Sequence, residues 1–115
     1  MVEDEASFIP LYQEMLPLHG LELIGYATDG EEAIEKIGEG LDPDIVLIDH
    51  RLPSKNGIDT MRELHRKDPS LPIVFMSADK TIMRDALKNG ALDFLVKPFD
   101  KDQLFEMIDR HARKR

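Results

Sequence analysis

The sequence DIVLIDHRLPSKNG (Asp44–Gly57) joins an apolar run to an acid and then to a loop rich in turn-forming residues. The continuous apolar run over Asp44–Ile48 predicts a strand that is buried on both faces. Asp49 follows it directly, and Pro53 and Gly57 then predict a loop. Because open α/β sheets place their chemistry at the carboxyl ends of their strands, Asp49 is the candidate reactive residue.

The rest of the chain repeats this pattern of strand followed by helix. The predicted strands are Leu21–Ala27, Asp44–Ile48, Pro72–Ser77 and Asp93–Lys97. The predicted helices are Phe8–Leu16, Glu31–Gly38, Ile58–Lys67, Thr81–Asn89 and Asp102–Ala112. Such alternation predicts an α/β fold, a doubly wound parallel sheet with right-handed crossovers and helices on both faces.

Length and composition indicate one domain over residues 1–115. The chain is 42% hydrophobic and 33% charged, which is ordinary for a globular domain, and its apolar runs are too short to cross a bilayer. We find no signal peptide, and the lack of cysteine excludes disulfides and thiolate metal sites. We therefore expect a cytoplasmic protein without a membrane partner.

The net charge of −8 argues against direct binding of nucleic acid, whose phosphates repel an acidic surface. A basic run closes the chain at Arg110–Arg115. We expect it to complement the dipole at the end of the last helix and to continue as a solvated tail. The alternative is that a linker to an output domain begins at about residue 112.

Polar residues recur where the predicted strands end. Glu3 and Asp4 lie near the amino terminus, Asp49 follows the second predicted strand, and Ser77 and Lys97 end the next two. In a doubly wound sheet these positions share one crevice. Three carboxylates brought together repel one another, so they indicate a hard divalent cation, Mg²⁺ first and Mn²⁺ as a tolerated substitute.

A carboxylate beside such a cation can act as a nucleophile toward a phosphoryl group and form an aspartyl phosphate. Asp49 is the candidate nucleophile. The phosphoryl oxygens then need donors, and the Lys97 ammonium, the Ser77 hydroxyl and the Ala78 N–H are of suitable chemistry.

With these motifs in place, the chain resembles the receiver domain of two-component response regulators over nearly its whole length. The resemblance rests on Glu3-Asp4-Glu5, on DIVLIDHRLPSKNGID around Asp49, on PIVFMSA ending at Ser77-Ala78, and on GALDFLVKPF with Lys97-Pro98. It implies a flavodoxin-like sheet of five parallel strands in the order 2-1-3-4-5.

The resemblance also implies the roles of the site residues. Asp49 is the phospho-acceptor, Glu3 and Asp4 are the metal-binding acids, Lys97 contacts the phosphoryl group, Ser77 is the switch hydroxyl, and the Arg51 carbonyl is a further metal ligand. Phe94 is implied as the aromatic that turns inward behind Ser77, with a plain core position as the alternative. The Lys97–Pro98 bond is implied to be cis.

By the same resemblance, the phosphoryl group comes from a sensor histidine kinase or a small phosphodonor, with Mg²⁺ required. Such a domain assists its own phosphorylation and dephosphorylation but turns over no external substrate, so we do not expect an enzyme. Its output is a changed surface on the fourth helix, fifth strand and fifth helix, where family members commonly dimerise or dock.

Two departures from the family pattern give further expectations. Only Met1-Val2 precede the acidic pair, so the first strand is truncated; we favour missing residues as the reason, with a first strand that is a stub as the alternative. Arg51 and Asp79 flank the phosphorylation site, and we expect them to form an ion pair over Asp49.

Two other functions compete with this one. A Mg²⁺-dependent phosphatase that forms an aspartyl phosphate usually has a second acid two residues after the nucleophile, but Arg51 is found there. A flavodoxin-like FMN module needs a phosphate loop after the first strand, where the acids around Asp4 repel phosphate.

Overall fold

A parallel sheet lies between two layers of helices in the computed structural model, which describes residues 1–114. Within these residues the strands are β1 (Val46–Asp49), β2 (Ile73–Ser77) and β3 (Asp93–Val96), paired in that order. The helices are α1 (Ile9–Met15), α2 (Gly30–Gly38), α3 (Gly57–Lys67), α4 (Met83–Lys88) and α5 (Lys101–His111). Short 3₁₀ helices cover Ala6–Phe8, Leu16–His19 and Lys80–Ile82. The predicted α/β class is confirmed.

The amino-terminal residues lie where a further strand would sit beside β1. Val2 forms parallel bridges to Ile48 on one side and to Ala27 on the other. The Glu3 N–H then donates to the Ala27 carbonyl at 2.9 Å. With β2 and β3 on the far side of β1, these contacts give the predicted order 2-1-3-4-5, in which Val2, here called the amino-terminal stub, occupies the place of the first strand.

The predicted strand Leu21–Ala27 is only partly formed. Ala27 bridges to Val2, and the Gly25 carbonyl accepts from the Met1 amino group at 3.2 Å, but the residues before Ala27 are assigned no regular structure. A strand is defined by its hydrogen-bonded neighbour, and this segment has only the short stub beside it. The apolar pattern therefore located the segment correctly but overstated its pairing.

Both faces of the sheet are covered, as the continuous apolar runs predict. On one face, Val46, Ile48 and Phe75 pack against α2, α3 and α4. On the other, Leu47 and Val74 pack against α1 and α5. All residues of β1 and β2 are buried, so the carboxyl ends of these strands are held rigidly.

The connection from β3 to α5 places Lys97 at the same edge of the sheet as Asp49. The Lys97–Pro98 peptide bond is cis, in agreement with the prediction. Asp100 then caps α5 in a reciprocal pair of hydrogen bonds with Gln103. In residues 1–114 we find no helix with the length and apolar character needed to cross a membrane.

The end of the chain is more firmly attached than a solvated tail. The Arg113 guanidinium donates to Asp68 at 3.0 Å and to the Pro43 carbonyl at 2.9 Å. Its backbone N–H donates to the Asp44 carbonyl at 2.9 Å. The expectation of a solvated tail is therefore wrong at Arg113, because its side chain reaches hydrogen-bond acceptors in loops at the amino-terminal edge of the sheet. Arg115 lies outside the described residues.

Candidate functional site

Asp49 is the last residue of β1 and is 7% exposed. The Arg51 N–H donates to its Oδ1 at 3.1 Å. The following loop returns close to the strand at Gly57, where an added Cβ would lie 2.6 Å from the Asp49 carbonyl oxygen and 2.8 Å from the Cα of His50. The backbone around Asp49 is therefore packed too tightly at this point for a larger residue.

Lys97 joins two of the predicted site carboxylates. Its Nζ lies 2.9 Å from Asp49 Oδ2 and 3.2 Å from Glu3 Oε2. Glu3 follows the amino-terminal stub, Asp49 ends β1 and Lys97 follows β3, so three separate parts of the chain meet here. The sequence predicted this convergence from the carboxyl ends of the strands.

Asp4 completes a group of three acids with Glu3 and Asp49. One carboxylate oxygen of each lies within 4.8 Å of the others. Glu3 is 2% exposed, whereas Asp4 is exposed to solvent. We call these three residues the acidic cluster. Its oxygen ligands, one of them open to solvent, are of the kind that a hard divalent cation prefers.

The charges of this cluster are incompletely balanced. Burial raises the pKa of Glu3 to about 7, with a further contribution from its hydrogen bond to Asp49 and an opposing one from Lys97. Burial alone would lower the pKa of Lys97, but the hydrogen bond and charge of Asp49, together with Glu3, raise it above its ordinary value. Lys97 is therefore a firmly protonated cation, and Glu3 takes up a proton near neutral pH.

An open cleft of about 520 Å³ gives access to Asp49. It is lined by Asp49, Arg51, Ser77, Ala78, Asp79 and Lys97. Ser77 is buried at the end of β2, and Ala78 beside it is exposed. The residues predicted to donate hydrogen bonds to the phosphoryl oxygens thus line one cleft together with Asp49, the predicted phospho-acceptor.

Asp79 lines the cleft and contacts Thr81, a pairing that the sequence did not predict. The Asp79 N–H donates to the Ser77 hydroxyl at 3.0 Å, and the Asp79 carboxylate accepts from the N–H and hydroxyl of Thr81. An Asp followed two residues later by Thr, ahead of a predicted helix, is the capping signal that could have found it.

The ion pair predicted between Arg51 and Asp79 is not formed. In the described part of the chain no nitrogen of Arg51 lies within 4.0 Å of an Asp79 carboxylate oxygen. The Asp79 carboxylate is instead used locally by Thr81, which is two residues away and costs less chain entropy to order than the long Arg51 side chain.

Phe94 lies inside the protein rather than in the cleft. It is 7% exposed, and its ring centroid is 6.5 Å from that of Phe75, its partner residue in β2. This position is compatible with both predictions made for it, a core aromatic and a switch residue in its inward orientation.

The arrangement contains the groups that phosphoryl chemistry at a carboxylate requires. It has an accessible acid at a rigid strand end, a neighbouring ammonium, and an acidic cluster of metal-binding type. A model of the response regulator receiver domain matches residues 1–109. The chain belongs to the response regulator receiver domain family.

Receiver domains of known proteins are similar to this one along almost its full length. The chemotaxis protein CheY of Thermotoga maritima is 37% identical over 116 residues, which cover 98% of this chain and 96% of that protein. The regulatory protein LuxO of Vibrio cholerae is 40% identical over 99% of this chain but only 25% of its own length. The chain therefore spans nearly all of the first relative and about a quarter of the second.

Solved receiver domains confirm the fold. The receiver domain of NtrX from Brucella abortus gives a TM-score of 0.84 at 30% identity, covering 95% of this chain and 92% of that one. CheY of Borrelia burgdorferi, solved as a complex of CheX, CheY, BeF₃ and Mg²⁺, gives 0.84 at 26% identity, covering 95% of this chain and 84% of that one. The predicted family and flavodoxin-like sheet order are thus confirmed.

Proposed function

We propose that this receiver domain accepts a phosphoryl group on Asp49 in a Mg²⁺-dependent reaction and responds by changing a protein-docking surface. The observation that carries the proposal is the contact of 2.9 Å between Asp49 and Lys97 at the edge of the acidic cluster. It combines a nucleophile, a fixed cation and metal-binding oxygens at one accessible strand end.

The reaction forms one bond and breaks one. A carboxylate oxygen of Asp49 attacks phosphorus, and the bond from phosphorus to the donor breaks with its electron pair going to the donor. For a phosphohistidine of a sensor histidine kinase the donor atom is an imidazole nitrogen, which then takes up a proton. For acetyl phosphate the leaving group is acetate, and in both cases the product is an acyl phosphate.

Donors around the cleft stabilise the charge on the transferred group. The Lys97 ammonium already lies against Asp49 and needs little movement to reach a phosphoryl oxygen. The Ser77 hydroxyl and the Ala78 N–H supply two further donors from the end of β2. Because Lys97 also bonds Glu3, its ammonium is held from two sides before the phosphoryl group arrives.

The acidic cluster is suited to Mg²⁺, with Mn²⁺ as a substitute. Three carboxylates share the site with one ammonium, so it retains negative charge when Glu3 is ionised. Glu3, Asp4 and Asp49 would supply side-chain oxygens, and the Arg51 carbonyl would supply a fourth ligand. Bound there, Mg²⁺ would supply positive charge beside the phosphoryl oxygens.

The partners follow from this chemistry. We propose a sensor histidine kinase or a small phosphodonor upstream, and a protein partner or second copy docking downstream on α4, β3 and α5. Leu87 and Leu92 are exposed beside this face and offer apolar contact area. We propose that the 1–115 unit acts as one cytoplasmic domain that modifies only itself, with no direct role in binding nucleic acid.

Neither competing function is supported by the comparisons, in which the family model is of a receiver domain and the two relatives are a chemotaxis protein and a regulatory protein. Arg51 also occupies the place where the phosphatase needs a second acid, and its N–H contacts Asp49. An FMN module would need a phosphate-binding loop after the first strand, and the exposed carboxylate of Asp4 there would repel a phosphate.

Intact mass spectrometry after incubation with acetyl phosphate tests the proposal. We expect one phosphoryl adduct with MgCl₂ present and none with EDTA. Asp49→Asn should abolish the adduct, whereas Asp59→Asn, an exposed acid at the start of α3, should retain it. An adduct that persists in Asp49→Asn, or that forms equally in EDTA, would overturn the proposal.

A further inference from the structure

The Ser77 hydroxyl is held by the loop that follows it. It accepts the Asp79 N–H at 3.0 Å, and Ser77 is 3% exposed. The carbonyl of Ser77 meanwhile accepts the Lys97 N–H at 2.9 Å, as part of the sheet. Because the sheet fixes the backbone of Ser77, a change of its hydroxyl position has to involve its side chain and the loop that begins at Ala78.

The loop itself is closed by a second pair of hydrogen bonds. The Asp79 carboxylate accepts from the Thr81 N–H at 2.9 Å and from the Thr81 hydroxyl. We call this arrangement the Asp79–Thr81 turn. It caps the 3₁₀ helix Lys80–Ile82, and its hydrogen bonds keep the pKa of Asp79 below its ordinary value. The carboxylate is therefore ionised at neutral pH, when its bonds to Thr81 are strongest.

The turn opposes movement of Ser77 toward Asp49. If the Ser77 hydroxyl shifts toward a phosphoryl group, it either leaves the Asp79 N–H without its acceptor or draws Asp79 along with it. Asp79 can follow only as far as its bonds to Thr81 allow. Thr81 itself is exposed and is not among the residues that line the cleft around Asp49.

We propose that Thr81, acting through the Asp79 carboxylate, is a positioning residue that holds the Ser77 loop in its unphosphorylated conformation. This inference rests on the proposed function of Asp49. Removing the Thr81 hydroxyl weakens the turn without touching the acceptor, Lys97 or the acidic cluster, so it shifts the balance between the two loop conformations toward the phosphorylated one.

A titration with beryllofluoride and Mg²⁺, a stable mimic of the phosphoryl group, measures this balance. The NMR signals of the Ala78 and Asp79 amides report the fraction of protein in the responding conformation. Thr81→Val removes the hydroxyl at nearly constant volume, Thr81→Ser retains it, and Lys80→Ala is a control at the adjacent exposed position. Thermal melts of all variants confirm that each is folded.

We expect Thr81→Val to reach half-conversion at about three- to tenfold lower beryllofluoride concentration, the effect of losing one hydrogen bond. Thr81→Ser and Lys80→Ala should stay within about twofold of the unmodified chain, because both keep the hydroxyl contact. An unchanged or higher midpoint in Thr81→Val, or an equal shift in Lys80→Ala, would overturn the inference.

The same titration separates this inference from the function it rests on. If the unmodified chain shows no Ala78 response to beryllofluoride with Mg²⁺ and takes up no phosphoryl group from acetyl phosphate, both the function and the role of Thr81 are wrong. If it responds and Thr81→Val has the same midpoint, only the role of Thr81 is wrong.

Discussion

Lys97 donates to Asp49 at 2.9 Å and to Glu3 at 3.2 Å, so one ammonium serves two buried carboxylates. Asp49 ends β1, Glu3 follows the amino-terminal stub at Val2, and Lys97 follows β3. This contact therefore ties together the carboxyl ends of the strands that build the site, and it connects the stability of the sheet with its chemistry.

Replacing Lys97 with methionine should destabilise the protein and impair phosphoryl acceptance. The change leaves two buried carboxylates without their counter-charge, and we expect the free energy of unfolding at pH 8 to fall by about 2–4 kcal/mol. The loss should be smaller at pH 6, where protonated Glu3 relieves the repulsion. Urea titrations at both pH values measure this, with the exposed Lys80→Met as control. An equal loss in both variants would contradict the role of the contact.

Glu3 should make the protein less stable as the pH rises. Its folded pKa of about 7 lies above the ordinary value of 4.5, so the folded state holds an extra proton between these pH values. Its favourable contribution is complete below pH 4.5 and is lost as the pH passes about 7, a change of about 2–4 kcal/mol. Between pH 4.5 and pH 8 in EDTA, we expect the free energy of unfolding of Glu3→Gln to rise by this amount relative to that of the unmodified chain.

The comparison with Glu3→Gln is needed because a second group titrates in the opposite direction. Burial lowers the pKa of the Met1 amino group to about 6, which favours folding as the pH rises from 6 to 8. Both proteins share that group, so it cancels in the difference. A difference in stability that does not vary with pH would show that Glu3 is not the titrating acid.

Gly57→Ala should disturb the backbone that carries Asp49. The new Cβ would lie 2.6 Å from the Asp49 carbonyl oxygen, so strand end or loop has to move. We expect a loss of about 1–3 kcal/mol in stability and a slower formation of the acyl phosphate. Gly38→Ala is the matched control, because its Cβ would meet only the flexible end of the Lys67 side chain. If both variants phosphorylate at the unmodified rate, the close approach at Gly57 has no role in positioning Asp49.

Arg113→Ala should detach the residues that follow α5. The guanidinium bonds Asp68 and the Pro43 carbonyl, so its removal should cost about 1–2 kcal/mol and raise hydrogen exchange in the last turn of α5. Arg113→Lys should recover only part of this, because an ammonium lacks the planar fork. Lys114→Ala, at the next and exposed position, is the control. Equal exchange rates in Arg113→Ala and Lys114→Ala would contradict this account of the tail.

The sequence predicted the features that depend on continuous apolar runs and on strand ends. The continuous apolar runs around Ile48 and Phe75 predicted strands buried on both faces, and therefore a sheet between two layers of helices. The acids and Lys97 converged because parallel strands bring their carboxyl ends to one edge. These inferences need the order of elements but no side-chain detail.

What the sequence did not predict depends on choices between nearby partners. Both Arg51 and Thr81 could have bonded the Asp79 carboxylate. The structure has the local turn with Thr81 and not the ion pair with Arg51. Arg113 donates hydrogen bonds to loop residues that are distant in sequence, and no local sequence pattern indicates such contacts. The pairing of the segment before Ala27 likewise depends on the length of its neighbour.

The most direct test of the central claim is to locate the phosphoryl group chemically. After incubation with acetyl phosphate and Mg²⁺, borohydride reduces an aspartyl phosphate to homoserine, and peptide mass spectrometry then identifies the reduced residue. The account predicts homoserine at position 49 alone. Homoserine at position 4, or a phosphoryl group retained on His50 with Asp49 unreduced, would contradict it.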